Sequence, residues 1–90
     1  MNNFTNFSSV RRDNSLLLVD DDEPFLKRLS KAMEKRGFEV KTSLTVLEGK
    51  KIIQDQPPAH AVVDLRLQDG NGLDIVELIQ KKREDATKPI

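Results

Sequence analysis

Two short apolar runs, each ending in aspartate, limit what this chain can become: Leu16-Leu17-Leu18-Val19 leads into Asp20-Asp21-Asp22, and Ala61-Val62-Val63 into Asp64. Continuous aliphatic runs without strict alternation mark strands covered by helices on both faces. An open parallel sheet binds its ligands in the crevice at the carboxyl ends of its strands. With the two runs as neighbouring strands, their terminal aspartates meet in one acidic pocket. Such a pocket points to a hard cation and phosphoryl chemistry.

The remaining segments fit between and after these strands. Ser15 to Val19 reads as the first strand. Pro24 suits the first turn of a helix, where its missing N–H costs nothing, and Phe25, Leu26, Leu29, Ala32 and Met33 follow at helical spacing. Gly37 is the expected stop. Phe38 to Thr42 alternates weakly, as a short edge strand does. Thr45 with Glu48 forms a capping-box pattern and predicts a helix from Val46 to Gln56, ended by Pro57-Pro58. Ala59 to Leu65 is the next strand, Asp69-Gly70-Asn71-Gly72 a turn cluster, and Leu73, Ile75, Val76, Leu78 and Ile79 mark a third helix. Lys88-Pro89-Ile90 reads as the approach to a further strand. The order is βαβαβα, the opening of a doubly wound α/β fold.

Ninety residues allow one small domain. Fifteen basic and fifteen acidic residues cancel, against a chain-wide basic footprint for nucleic acid. The absence of cysteine excludes disulfides, thiolate metal sites and cysteine nucleophiles. No apolar stretch approaches a membrane span, and the N-terminus lacks the apolar core of a signal peptide. The expectation is a soluble, cytoplasmic domain from residue 15 onward. Residues 1–14, polar and aperiodic, are expected to be a flexible arm.

Asp20, Asp21 and Asp64 carry the chemistry. Like charges converging at strand ends repel one another, and a divalent cation removes that penalty. Magnesium suits one or two carboxylates completed by waters and phosphate oxygens. A carboxylate is also a competent nucleophile toward a phosphoryl group, giving an acyl phosphate. Asp22 and Glu23 are read instead as acids of the first helical turn. His60, the only histidine, reads as structural or exposed. Asp69 to Asp74 resembles part of a calcium loop but lacks the spacing to a final glutamate. The basic stripe of the first helix is a solvated face.

Leu16 to Phe25 (LLLVDDDEPF), with Val62-Val63-Asp64-Leu65-Arg66-Leu67 and Gly72 downstream, resembles a response-regulator receiver domain. The wording DDDEPFLKRL and PPAHAVVDLRLQDGNGLD is similar to the RegA/PrrA/ActR redox regulators of proteobacteria. The resemblance covers nearly everything from Ser15 onward. It implies a flavodoxin-like doubly wound parallel sheet and a phosphorelay role in a two-component system, with no enzyme activity of its own. Asp64 falls on the phospho-accepting position. Asp21 falls on the direct metal ligand and Asp20 on the acid that acts through water. The backbone carbonyl of Arg66 falls where receivers complete a Mg2+ site. Leu67 matches the usual apolar residue, whereas Gln68 stands where most receivers have proline.

The same resemblance implies a sensor histidine kinase as phosphoryl donor. In the full-length parent, phosphorylation would control DNA binding through a helix-turn-helix, and hence transcription of redox-linked genes. Receivers continue with a strand ending in serine or threonine, another ending in lysine, and two helices. None of these follows here, so the chain is expected to be an incomplete receiver whose third strand is left as an edge. Such an edge invites self-association or domain swapping. The alternative function is a haloacid-dehalogenase-type phosphatase, in which Asp20 of an Asp-x-Asp motif is the nucleophile.

Overall fold

A computed structural model describes residues 13–87. The proposed arm therefore lies outside the described residues apart from Asp13 and Asn14, and so does the segment at residues 88–90. Three parallel strands form the sheet in the order β2-β1-β3, with β1 at Ser15–Val19, β2 at Glu39–Ser43 and β3 at His60–Val63. Between and after them run α1 (Glu23–Lys35), α2 (Val46–Asp55) and, last, α3 (Leu73–Thr87).

The unbroken apolar run of β1 is explained by its central place. Leu16 and Leu18 pack with Leu26, Leu29 and Met33 of α1 on one face. Leu17 and Val19 meet Val46 and Ile53 of α2 and Ile75 and Ile79 of α3 on the other. A strand buried on both faces has no polar side to alternate with. The edge strand β2 is mostly exposed, with Val40 half-buried and Ser43 buried, which accounts for its weak pattern.

Local capping sets the helix ends. Asp22 stands at the N-cap of α1 and its carboxylate accepts the Phe25 N–H at 3.0 Å. After Arg36 the chain turns at Gly37, whose φ of 95° lies where a Cβ is unfavourable. Thr45 caps α2 by accepting the Glu48 N–H at 3.1 Å. The capping box is completed differently from expectation. The Glu48 carboxylate reaches the Leu44 N–H at 3.4 Å, while the Thr45 N–H is taken by Ser43 Oγ at 3.2 Å.

Two sequence expectations need correction. The third strand is shorter than Ala59 to Leu65, because both its ends are drawn off by side chains. The Ala59 N–H donates to Ser15 Oγ at 2.8 Å, and the Asp64 carboxylate takes the Arg66 N–H at 3.0 Å, turning the chain. The turn cluster is in fact part of a small antiparallel hairpin, with β4 (Arg66–Leu67) paired to β5 (Gly70–Asn71). Strands of two residues leave no periodicity to detect.

Candidate functional site: an acidic cluster at the strand ends

The parallel register opposes Val19 to Val63, so the next residues, Asp20 and Asp64, leave the sheet side by side. Both are still held by backbone ladders: the Asp20 N–H donates to the Ser43 carbonyl at 3.1 Å, and the Asp64 N–H to the Val19 carbonyl at 2.8 Å. Asp21 follows directly. Carboxylate oxygens of Asp20, Asp21 and Asp64 all lie within 4.8 Å of one another, with Asp20 and Asp64 half-buried and Asp21 exposed. The three acids singled out in the sequence thus converge. Beside them opens a cleft of about 360 Å³ walled by Leu18, Phe25, Leu29, Val62 and Val63.

Each of the two half-buried acids also organises its own loop. Asp20 Oδ1 accepts the Asp22 N–H at 2.9 Å, and Asp64 Oδ1 accepts the Arg66 N–H at 3.0 Å. Each retains a second oxygen. The donor set fits magnesium: all ligands are hard carboxylate oxygens, and two oxygens on one octahedral magnesium lie about 3 to 4 Å apart. Arg66 sits at the start of β4 with an exposed side chain, two residues beyond Asp64. Asp22 and Glu23 belong to the N-terminal turn of α1. His60 is exposed at the opposite end of β3, edge-on to Phe38 with ring centroids 5.7 Å apart, and is remote in register from the acids.

Sequence reasoning missed Asp69. Its carboxylate accepts the Val46 N–H at 2.8 Å and the Leu47 N–H at 3.1 Å, capping α2 from a distant loop. These bonds, that to Val46 foremost, hold its carboxyl below the usual carboxylate range. The calcium-loop likeness drew attention to the segment, but no local pattern reveals a partner 23 residues away. Gly72, read from the sequence as part of the turn, is also a point of close approach. A Cβ there would lie 2.1 Å from the Asp64 carbonyl oxygen, so the loop that follows Asp64 closes on a residue without a side chain.

The family model of the response regulator receiver domain matches residues 16–90. This chain belongs to the response regulator receiver domain family. Among curated proteins, it is 70% identical over 73 residues to the photosynthetic apparatus regulatory protein RegA of Cereibacter sphaeroides, covering 81% of this chain and 40% of that protein. It is 55% identical over 73 residues to the acid tolerance regulatory protein ActR of Rhizobium meliloti, covering 81% and 38%. Among solved structures, the non-phosphorylated HemR receiver domain from Leptospira biflexa superimposes with a TM-score of 0.71 at 37% identity, covering 79% of this chain and 57% of that one.

The chain is thus a receiver domain of the two-component type found in RegA and ActR, and its sheet is the flavodoxin-like one of that family. It spans about two fifths of the length of these curated relatives. The receiver match supports the signalling reading and not the phosphatase alternative with Asp20 as nucleophile. Among the described residues no helix is long and apolar enough to cross a membrane.

Proposed function

We propose that this receiver accepts a phosphoryl group on Asp64 from a sensor histidine kinase. The observation that carries the reading is the convergence of Asp20, Asp21 and Asp64 at the ends of adjacent parallel strands. In the transfer, a carboxylate oxygen of Asp64 attacks phosphorus. The bond from phosphorus to the donor histidine nitrogen breaks, and that nitrogen retains the electron pair. Asp64 is left as an acyl phosphate.

Asp21 and Asp64 would hold magnesium directly, Asp20 through water, and the Arg66 carbonyl would complete the set. The ion, when bound, supplies positive charge that screens the incoming phosphate from the surrounding carboxylates. The Arg66 N–H steadies the Asp64 carboxylate by its bond to Oδ1. The leucine and valine walls of the cleft hold the acids against a largely apolar surface, which strengthens their field.

In the full-length protein, which works in the cytoplasm, phosphorylation controls DNA binding through a helix-turn-helix and so regulates redox-linked transcription. The ninety-residue chain by itself pairs with further copies along β3, whose outer edge is unpaired among the described residues and whose Val62 is 53% exposed.

Intact mass after incubation with magnesium and acetyl phosphate, with peptide mapping of the adduct, tests the assignment. One phosphoryl group on Asp64, lost in Asp64→Asn, is expected. An adduct on Asp20, or none in the full-length protein, overturns it. Sizing at increasing concentration checks the pairing, and a monomer throughout would exclude it.

A further inference from the structure

The loop that leaves Asp64 is fastened at several points. Its first turn is closed by the Arg66 N–H on Asp64 Oδ1, and its end by the Gly72 N–H on the Leu65 carbonyl at 3.0 Å. Leu67 of β4 is buried in the same core cluster as Val46. The far end of the hairpin lies against α2, where a Cβ at Gly70 would meet Val46 Cγ2 at 3.5 Å. The polar link in this arrangement is Asp69, whose two oxygens take the first two N–H groups of α2.

Those N–H groups have no partner inside the helix, and the helix dipole favours an anion there. Thr45 Oγ1 accepts the Glu48 N–H and the Thr45 carbonyl accepts the Gly49 N–H, so Asp69 completes the first turn. Leu67 and the Gly72 N–H fasten the loop nearer Asp64, whereas its exposed tip at Asp69 has glycine on one side. Here a carboxylate ties it to a helix whose Val46 and Ile53 are anchored in the core.

We infer that Asp69 is a positioning residue for phosphoryl transfer: by bonding the Val46 and Leu47 amides it holds the hairpin against α2, and through the hairpin it fixes the orientation of Asp64. This rests on the reading of Asp64 as phospho-acceptor. Displacement of a reacting group by a fraction of an ångström is enough to slow a reaction strongly. The cap is thus a second, remote determinant of the rate, separate from the metal-binding acids.

The test compares phosphoryl uptake from acetyl phosphate at saturating magnesium in the full-length protein and in Asp69→Ala, Asp69→Asn and Thr45→Ala. Thr45→Ala removes the other side-chain cap of α2 and leaves the loop untouched, so it controls for loss of helix capping. Rates are read well below the melting point of each variant. Asp69→Ala is expected to slow uptake about tenfold, with Thr45→Ala within about twofold of the parent. Asp69→Asn keeps one accepting oxygen and recovers part of the rate. An unchanged rate in Asp69→Ala, or an equal fall in Thr45→Ala, overturns the inference. If Asp69→Ala does not fold, Asp69→Asn against Thr45→Ala decides it by the same comparison. A parent that takes up no phosphoryl group overturns the reading of Asp64 itself, whereas normal uptake with unaffected variants overturns only the role of Asp69.

Discussion

Gly72 lies so close to Asp64 that a Cβ on it would be 2.1 Å from the Asp64 carbonyl oxygen and 2.8 Å from Val63 Cγ1. The obstacle on one side is backbone, which cannot rotate aside as the end of a flexible side chain can. Gly72 also opens α3, its carbonyl accepting the Ile75 and Val76 N–H groups at 3.0 and 3.2 Å. The start of that helix is thereby set directly on the loop that follows Asp64.

Gly72→Ala is accordingly expected to destabilise the fold by about 3 kcal/mol, since either the loop or α3 must move away. Gly37→Ala meets no atom within 4 Å and is strained only by its φ of 95°. It is expected to cost about 1 kcal/mol. Urea midpoints of the two variants check the order, which reverses if backbone angle rather than close approach governs Gly72.

The acidic cluster predicts opposite effects of one substitution with and without metal. Asp21→Asn removes a charge from a group of carboxylates within 4.8 Å. It is expected to raise metal-free stability by about 0.5 to 1 kcal/mol and to weaken magnesium binding about tenfold or more. Asp20→Asn should weaken binding less. With neither tryptophan nor tyrosine in the chain, calorimetry or amide NMR shifts are the suitable readouts for the metal titration. A magnesium affinity unchanged in Asp21→Asn would remove that residue from the ligand set.

Asp69 makes an acid-dependent contribution to stability. Its bonds to the Val46 and Leu47 amides lower the carboxyl in the folded state relative to the unfolded chain. The stabilisation is therefore complete above the ordinary aspartate range near pH 4. It is lost as the pH falls through the depressed folded value, below which both states bind the proton. The stability gap between the parent and Asp69→Asn is expected to be widest at neutral pH and to shrink toward pH 3. A gap independent of pH would show that the carboxylate charge does not matter to the cap. Asp13, lowered by the Ser15 amide, is common to both proteins and cancels.

Burial decides the cost of apolar truncation. Leu17 is fully buried in the centre of the sheet, whereas Leu47 on α2 is 60% exposed. Leu17→Ala is expected to cost about 3 to 5 kcal/mol and Leu47→Ala less than about 0.5 kcal/mol in chemical denaturation. Comparable losses would mean that Leu47 is covered in solution by something that docks on α2.

Much of the architecture was legible because it follows from rules of short range. The run of Leu16 to Val19 announced a strand covered on both sides, and its bounds agree with β1. Pro24 and Gly37 bracketed α1, since φ restrictions act within one turn of chain, whereas Asp22, read as an acid of the first turn, is its N-cap. The convergence of Asp20, Asp21 and Asp64 was also foreseeable, because neighbouring parallel strands end at the same edge of a sheet. The short β4–β5 hairpin was not legible, nor were the true ends of β3, which depend on Ser15 Oγ and the Asp64 carboxylate.

The amino-acid sequence alone thus determined the order of the three sheet strands and the three helices, the bracketing of α1 by Pro24 and Gly37 and the edge of the sheet to which the acids belong. Each of these depends on residues within a few positions of one another or on the fixed geometry of a parallel sheet. Only the tertiary structure decided that Asp69 caps α2 and that Gly72 closes on the Asp64 carbonyl. Those contacts join segments that periodicity does not relate. They exist because the core shared by Leu67, Val46 and Ile75 brings the loop after Asp64, α2 and α3 to one place.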